Sequence, residues 1–134
     1  MKNINILFIL LLSLSQPAFA GNEVVQTLLN QYRSEGASQF DANKGKSMWQ
    51  EQHVQKKSGQ SVSCATCHTT NIRKAGEHIR TGKLIEAMSA VVNLGRFQDV
   101  KKVKKWFKRN CKWTWGRECS PQEKGDFLTF FQSQ

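Results

Sequence analysis

The chain has 134 residues and four cysteines, and its 20 Lys and Arg residues against 10 Asp and Glu give a net charge of +10. A chain of this length forms one small domain and has no room for a second hydrophobic core. Such a domain buries a modest fraction of its surface, so a bound prosthetic group would be a large part of its core.

The N-terminal segment has the pattern of a secretory signal peptide. Lys2 precedes an apolar run from Ile4 to Leu14, and Ala18-Phe19-Ala20 matches a small-residue cleavage site. The apolar run is shorter than the roughly 18 residues that a membrane span needs. We therefore expect residues 1–20 to be removed and residues 21–134 to form a periplasmic domain without a membrane span, in a compartment where disulfides persist.

Apolar residues at helical spacing predict helices in the first part of the chain. A first helix is expected over Glu23–Ser34, and a second, capped by Asp41, is expected to run to about His53. Gly45 and Trp49 lie on this second helix. We expect both to face an aromatic C-terminal helix.

The second half of the chain supplies the other predicted helices. A short helix is expected after Cys64–His68, another from about Lys83 to Met88, and a basic amphipathic helix over Asp99–Arg109. The run Ser120-Pro121-Gln122-Glu123 combines an N-cap, a proline at N1 and a glutamate at N3, which predicts the start of the last helix. No alternating strand pattern competes, so the predicted class is all-α.

The motif with the clearest chemistry is Cys64-Ala65-Thr66-Cys67-His68. Two thiols three positions apart can each add to a haem vinyl group, and the adjacent imidazole then serves as the proximal iron ligand. The motif predicts one covalently attached haem c, held by Cys64 and Cys67, with His68 on the iron.

Three other interpretations of these cysteines are weaker. A thioredoxin-like redox pair would need a βαβ pattern around it, and a zinc site would need Cys111 and Cys119 to lie closer together. A plain disulfide between Cys64 and Cys67 would leave His68 unexplained. In an oxidising compartment, a disulfide is the expected state of the remaining cysteines, Cys111 and Cys119.

The sixth iron ligand decides between an electron carrier and a ligand-binding protein. The candidates are Met88, His53, His78, Asn110, a lysine, or no residue. Composition favours Met88, because a thioether suits ferrous iron, although a lone methionine more often packs in a core. Permanent ligation by Met88 would make the protein a simple outer-sphere electron shuttle.

Seven motifs resemble the Sphaeroides haem protein (SHP) family of monohaem cytochromes c in content, order and spacing. They are Arg73-Lys74-Ala75-Gly76, Arg80-Thr81-Gly82-Lys83, Arg96-Phe97, Val103-Lys104-Lys105-Trp106, Arg109-Asn110-Cys111, Gly116-Arg117-Glu118-Cys119 and Pro121-Gln122-Glu123-Lys124. The resemblance covers nearly all of the chain after residue 20. The chain departs from the family in residues 88–94, which lack the expected prolines, and at Trp113 and Trp115.

The resemblance implies a small cytochrome c fold, a ligand set and a function. It makes Asn110 the distal iron ligand, released on reduction, and it pairs Cys111 with Cys119. It also implies that the reduced protein binds oxygen or nitric oxide, and that a dihaem cytochrome c or a membrane cytochrome b donates electrons. An amide oxygen is a hard, weak donor, so it should hold ferric iron better than ferrous iron.

The charge is concentrated near the C-terminus. Between Arg96 and Lys124 there are ten basic residues against three acidic ones, which indicates either a solvated helix face or a docking patch for an acidic redox partner. Nucleic acid is not an expected partner of an exported haem protein. No acid/base pair is apparent, so we expect no enzyme activity, although an oxidase or reductase of oxygen, nitric oxide or hydroxylamine stays open.

Overall fold

A computed structural model describes residues 20–134, so the predicted signal peptide lies outside the described residues except for Ala20. The helices are α1 (Ala20–Ser34), α2 (Ala42–Gln50), α3 (Ala65–His68), α4 (Val100–Trp115) and α5 (Pro121–Gln132). The strands are β1 (His53–Val54), β2 (Ser61–Val62), β3 (Gly76–Glu77) and β4 (Leu84–Ile85). Over this range no helix is both long enough and apolar enough to cross a bilayer.

The four short strands form two antiparallel pairs, β1 with β2 and β3 with β4. Helices supply most of the core, and the predicted all-α class is confirmed. The apolar face predicted for α1 is buried, with Val25, Leu28 and Tyr32 almost inaccessible to solvent. The stripe forms because residues three and four positions apart lie on one side of a helix.

Helices α2 and α5 cross at close range. A Cβ atom on Gly45 would lie 2.2 Å from the carbonyl oxygen of Asp126 and 2.9 Å from the Cβ of Phe130. Across the same crossing, Asp126 Oδ1 accepts a hydrogen bond from the backbone N–H of Asp41 at 2.8 Å. Asp41 also caps α2, as predicted, by accepting from the backbone of Asn43 and Lys44.

The prediction for Trp49 is confirmed, because its ring packs against the aromatic face of α5. The ring centroids of Phe127 and Phe130 lie 6.3 Å from it, and that of Phe131 lies 5.3 Å away. Edge-to-face geometry of this kind stabilises an aromatic cluster beyond the burial of its area. The α2–α5 pair therefore forms the centre of the core.

Two predicted helices are wrong. The segment Lys83–Met88 contributes strand β4 instead, because a turn from His78 to Lys83 folds the chain back onto β3. Gly82 occupies the left-handed region in that turn, with φ of 65°, which glycine adopts without strain. The short helix expected after Cys64–His68 is instead formed by the motif itself, as α3.

Two predicted helix ends also need correction. Helix α2 ends at Gln50 rather than near His53, because Glu51 is extended and His53 pairs in β1. Helix α4 does not end at Arg109 but continues to Trp115. It ends at Gly116, whose left-handed conformation (φ 69°) is a common helix terminator. The start predicted for α5 is confirmed, including its capping box.

The α2–α5 crossing generates a stability prediction. Replacing Gly45 by alanine should lower the free energy of unfolding by about 3 kcal/mol or more, because the new methyl group meets the backbone of α5. The matched control is Gly95→Ala, where the nearest atom to the new Cβ is Asn93 Oδ1 at 3.6 Å. Urea denaturation of both variants measures the difference, and equal stabilities would contradict the close crossing.

Candidate functional site

The two thiols of the haem motif lie on one turn of helix. The N–H of His68 donates to the carbonyl of Cys64 at 3.2 Å, and that of Thr69 donates to Ala65 at 2.9 Å. Residues three positions apart on such a turn point to the same side. Cys64 and Cys67 are both unpaired and half-buried, so the turn presents two thiols in the arrangement that attachment to a single haem requires.

His68 has the properties of a metal ligand. Its side chain is half-buried, and its Nδ1 atom is buried without a hydrogen-bond partner. Burial, and then the charges of Arg96 and His78, lower the pKa of His68 to about 4. The imidazole is therefore neutral at pH 7 and keeps a lone pair for a transition metal such as iron.

The backbone around His68 is held from two sides. The indole Nε1–H of Trp49 donates to the carbonyl of Thr69 at 2.9 Å, and the Trp49 and His68 ring centroids are 5.4 Å apart. On the other side, strand β3 passes so close that a Cβ on Gly76 would lie 2.0 Å from the carbonyl oxygen of Cys67. The sequence analysis identified Trp49 but missed the role of Gly76. An isolated glycine in a strand can mark a place where another backbone approaches closely.

The structure argues against the other interpretations of the cysteines. Cys111 and Cys119 form a disulfide, so they cannot act as zinc thiolates. Burial raises the pKa of Cys64 to about 12, whereas a redox-active thiol needs a lowered pKa. Over residues 20–134 no group of three or more His, Cys, Asp or Glu side chains is arranged to hold a metal ion.

Asn110 lies inside α4, not at its end. Its side chain is exposed, and it has no hydrogen-bond partner among the described residues. Trp106 lies four positions before Asn110 and Trp113 lies three positions after it, so both exposed rings are on the same side of the helix as the amide. The amide is thus free to act as a ligand and is flanked by two large aromatic rings.

The Met88 thioether already has a partner. The guanidinium Nη2 of Arg96 donates to Met88 Sδ at 2.6 Å. The backbone N–H of Met88 donates to the carbonyl of Ile72 at 2.9 Å, which fixes this part of the chain. These contacts make Met88 a poorer candidate for the sixth ligand than composition indicated.

The two histidines outside the motif are also engaged. Nδ1 of His78 accepts from the backbone N–H groups of Arg80 and Thr81 at 3.3 Å, within the β3–β4 turn. The His53 ring packs 5.1 Å from that of Trp115. The turn therefore engages Nδ1 of His78, whereas His53 Nε2 is buried without a hydrogen bond and lies 3.5 Å from Glu51 Oε1.

A continuous aromatic cluster connects the haem motif to α4. Trp49, which contacts His68, packs on Phe127, and Phe127 lies 6.2 Å from Phe107 and 5.9 Å from Trp115 of α4. No direct ring contact or hydrogen bond joins His68 to Asn110 in the described part of the chain. The two candidate ligands are instead carried by separate elements that pack on one rigid core.

Comparisons with known proteins identify the family to which the chain belongs. Residues 35–131 match a family described as a domain of unknown function, DUF1924. The chain is 34% identical over 121 residues to the cytochrome c-type protein SHP of Cereibacter sphaeroides, covering 90% of this chain and 92% of that protein. It is 39% identical over 77 residues to cytochrome c'' of Methylophilus methylotrophus, covering 58% of this chain and 54% of the relative.

Two solved structures have a similar fold. Oxidised SHP, an oxygen binding cytochrome c, aligns with a TM-score of 0.73 and 31% identity over 82% of this chain and 96% of its own. Oxidised cytochrome c'' from Methylophilus methylotrophus aligns with a TM-score of 0.72 and 30% identity over 86% of this chain and 94% of its own. The small cytochrome c fold expected from the resemblance is confirmed.

The thiol pair of α3 gives a chemical prediction. The mature protein should keep its haem through acid-acetone extraction, whereas the double variant Cys64→Ser/Cys67→Ser should release any haem that it binds. The double variant Cys111→Ser/Cys119→Ser is the control, and it should keep its haem because only the disulfide is lost. Absorption spectra of the extracted solvent measure the release, and complete extraction from the wild type would refute covalent attachment.

Proposed function

Because the chain belongs to the SHP family of monohaem cytochromes c and carries one covalently attached haem c, we propose that it transfers electrons and binds a small ligand when reduced. The haem iron, when bound, supplies the redox change and a distal ligand position. In this proposal Cys64 and Cys67 hold the haem, His68 is the proximal ligand and Asn110 is the redox-labile distal ligand. The relative SHP is an oxygen binding cytochrome c, and oxygen or nitric oxide is the proposed ligand here.

The observation that carries this proposal is the free amide of Asn110 on a rigid stretch of helix. The next residue, Cys111, is buried and disulfide-bonded to Cys119, and α4 continues beyond Asn110 to Trp115. The backbone is therefore held in place on both sides of Asn110. The Asn110 side chain could therefore bind or release a metal by rotation about its own bonds, without any change in the fold.

The chemistry of the amide explains why its movement should follow the redox state. An uncharged amide oxygen is a hard and weak donor, which suits ferric iron better than the softer ferrous ion. Asn110 should therefore dissociate on reduction. The exposed rings of Trp106 and Trp113 flank the amide, so we propose that they limit the size of the ligand that replaces it.

The alternative function is a simple electron shuttle with Met88 as a permanent ligand. It requires the Met88 sulfur to leave its contact with the Arg96 guanidinium. This exchange has a cost that ligation by Asn110 does not have, because the Asn110 amide has no competing hydrogen bond among the residues described. The contact between Met88 and Arg96 therefore favours Asn110.

Two variants separate these functions. Asn110→Ala should open the ferric iron or admit water there, while the ferrous protein stays high spin and binds carbon monoxide as the wild type does. Met88→Leu should leave both spectra nearly unchanged, because in this proposal its sulfur does not contact the iron. Absorption spectra of both oxidation states, with and without carbon monoxide, measure these outcomes.

The opposite pattern would support the electron shuttle. In that case the ferrous wild type is low spin and refuses carbon monoxide, Asn110→Ala is nearly silent, and Met88→Leu opens the iron in both oxidation states. A single set of titrations on three proteins therefore decides between the two functions.

We also propose that residues 1–20 are a cleaved export signal and that the protein works in the periplasm. Cleavage after Ala20 would remove only the first residue of α1 and leave its buried residues Val25, Leu28 and Tyr32 in place. The mature domain would therefore keep its core. The proposed role is electron transfer and ligand binding rather than catalysis.

The electron donor in this proposal docks on a basic surface that we call the α4 face. This surface consists of seven exposed cations on α4 and of two lysines beside the end of that helix. The seven on α4 are Lys101, Lys102, Lys104, Lys105, Lys108, Arg109 and Lys112. Beside the end of α4, Lys56 and Lys57 line a cleft together with Arg109, Lys112 and Trp113. The turn between β1 and β2 thus adds two cations that the sequence reasoning did not include.

Ion pairs within the domain neutralise part of the charge near the C-terminus. Arg117 Nη2 lies 2.7 Å from Glu123 Oε1, and Lys112 Nζ lies 3.1 Å from Glu118 Oε1. The free charge is therefore concentrated on the rest of α4 and on Lys56 and Lys57. An acidic surface of a dihaem cytochrome c or a membrane cytochrome b would complement it.

Salt and charge reversal test the docking surface. Electron transfer from an acidic donor should slow as ionic strength rises, because the Debye length falls from about 30 Å at 0.01 M to about 10 Å at 0.1 M. The variant Lys56→Glu/Lys57→Glu should slow the second-order rate further at low salt. Stopped-flow kinetics measure both effects.

The matched control is Lys44→Glu/Lys46→Glu, which changes the net charge equally at exposed positions on α2. If docking uses the α4 face, the control should slow the reaction less than the variant at Lys56 and Lys57. Equal rates for the two variants would indicate that only the net charge matters and that the α4 face is ordinary solvated surface.

A further inference from the structure

Arg96 is a half-buried cation without an anionic partner. Its Nη2 donates to the thioether sulfur of Met88 at 2.6 Å. Its backbone N–H donates to the carbonyl of Asn93 at 3.0 Å. Among residues 20–134, every ion pair joins other side chains, so no carboxylate lies within ion-pair distance of this guanidinium.

This arrangement leaves a buried charge uncompensated. A guanidinium has five N–H donors in a planar fork, and a thioether is only a weak acceptor. Burying an unpaired charge is costly, so buried arginines are normally paired with carboxylates or phosphates. Consistently, burial lowers the pKa of Arg96 by more than the charge of Glu86 raises it. The guanidinium therefore needs an anionic partner, and its planar fork suits a carboxylate bound by two hydrogen bonds.

The position of Arg96 indicates which anion this is. Adjacent aromatic rings connect it to His68, because the Phe97 ring packs on Phe131, the Phe131 ring lies 5.3 Å from Trp49, and the Trp49 ring lies 5.4 Å from His68. The next residue, Phe97, is buried and stacks on Phe131, with ring centroids 5.5 Å apart and planes 9° apart. Packing of Phe97 thus fixes the backbone from which the Arg96 side chain extends.

A haem carries two ionised propionates. When the haem is bound beside His68, these carboxylates lie in the same region as Arg96. We propose that Arg96 binds a haem propionate and acts as its counter-ion. The assignment rests on the haem, and it does not depend on whether Asn110 is the distal ligand. It also gives Met88 a structural role, because its sulfur contacts the guanidinium.

Glu86 is the competing partner within the chain. Its carboxylate Oε2 accepts from Asn93 Nδ2 at 3.3 Å, and its charge raises the pKa of Arg96. It is exposed, so it can stay hydrated without a cation. An exposed carboxylate that already has a hydrogen bond compensates a buried guanidinium poorly.

The test uses the mature holoprotein with Arg96→Gln, Arg96→Lys and the control Glu86→Gln. Arg96→Gln removes a cation near the haem, which should lower the reduction potential and shift the propionate bending mode in the resonance Raman spectrum. Arg96→Lys keeps the charge but loses the fork, so the potential should change less while the mode still shifts. Glu86→Gln should leave the propionate mode unchanged.

These readouts do not depend on electron transfer to a partner or on binding of a small ligand. If Arg96→Gln does not accumulate as holoprotein, the shifted propionate mode of Arg96→Lys alone supports the pairing. An unchanged mode in both Arg96 variants overturns it. A mode shift in Glu86→Gln as large as that in the Arg96 variants overturns it as well, because it would show that the spectrum does not report a specific contact of Arg96.

Discussion

The rest of the structure depends on the close crossing of α2 and α5 at Gly45. Only a glycine lets the backbone of α2 approach the Asp126 carbonyl to this distance. The crossing brings Trp49 into the aromatic face of α5, and the Trp49 indole then donates to the carbonyl of Thr69. Because Thr69 follows His68 directly, these contacts connect the helix crossing to the turn that carries the proposed proximal ligand.

The same core also determines how the proposed distal ligand can move. Phe127 contacts Trp49 on one side and Phe107 and Trp115 of α4 on the other, so α4 is anchored to the same cluster that supports the haem motif. The disulfide of Cys111 adds a covalent constraint next to Asn110. A ligand switch in such a rigid frame can be confined to one side chain, which makes it compatible with rapid electron transfer.

Charge is divided between the exterior and the haem region. On the α4 face, exposed lysines and Arg109 produce a field that extends about a Debye length into solvent and would steer the proposed acidic partner. In the interior, Arg96 is half-buried and lacks a carboxylate partner in the described chain. Exposed charge affects mainly the rate of encounter, whereas a buried cation beside the haem would affect the redox equilibrium itself.

Local patterns in the sequence determined the haem motif, the caps at Asp41 and Ser120 and the buried stripe of α1, because each depends on residues within one or two helical turns. The resemblance of the motifs then identified the family. The tertiary structure alone decided strand β4 at residues 84–85 and the contact of Arg96 with Met88. These features depend on contacts between segments that no local spacing encodes.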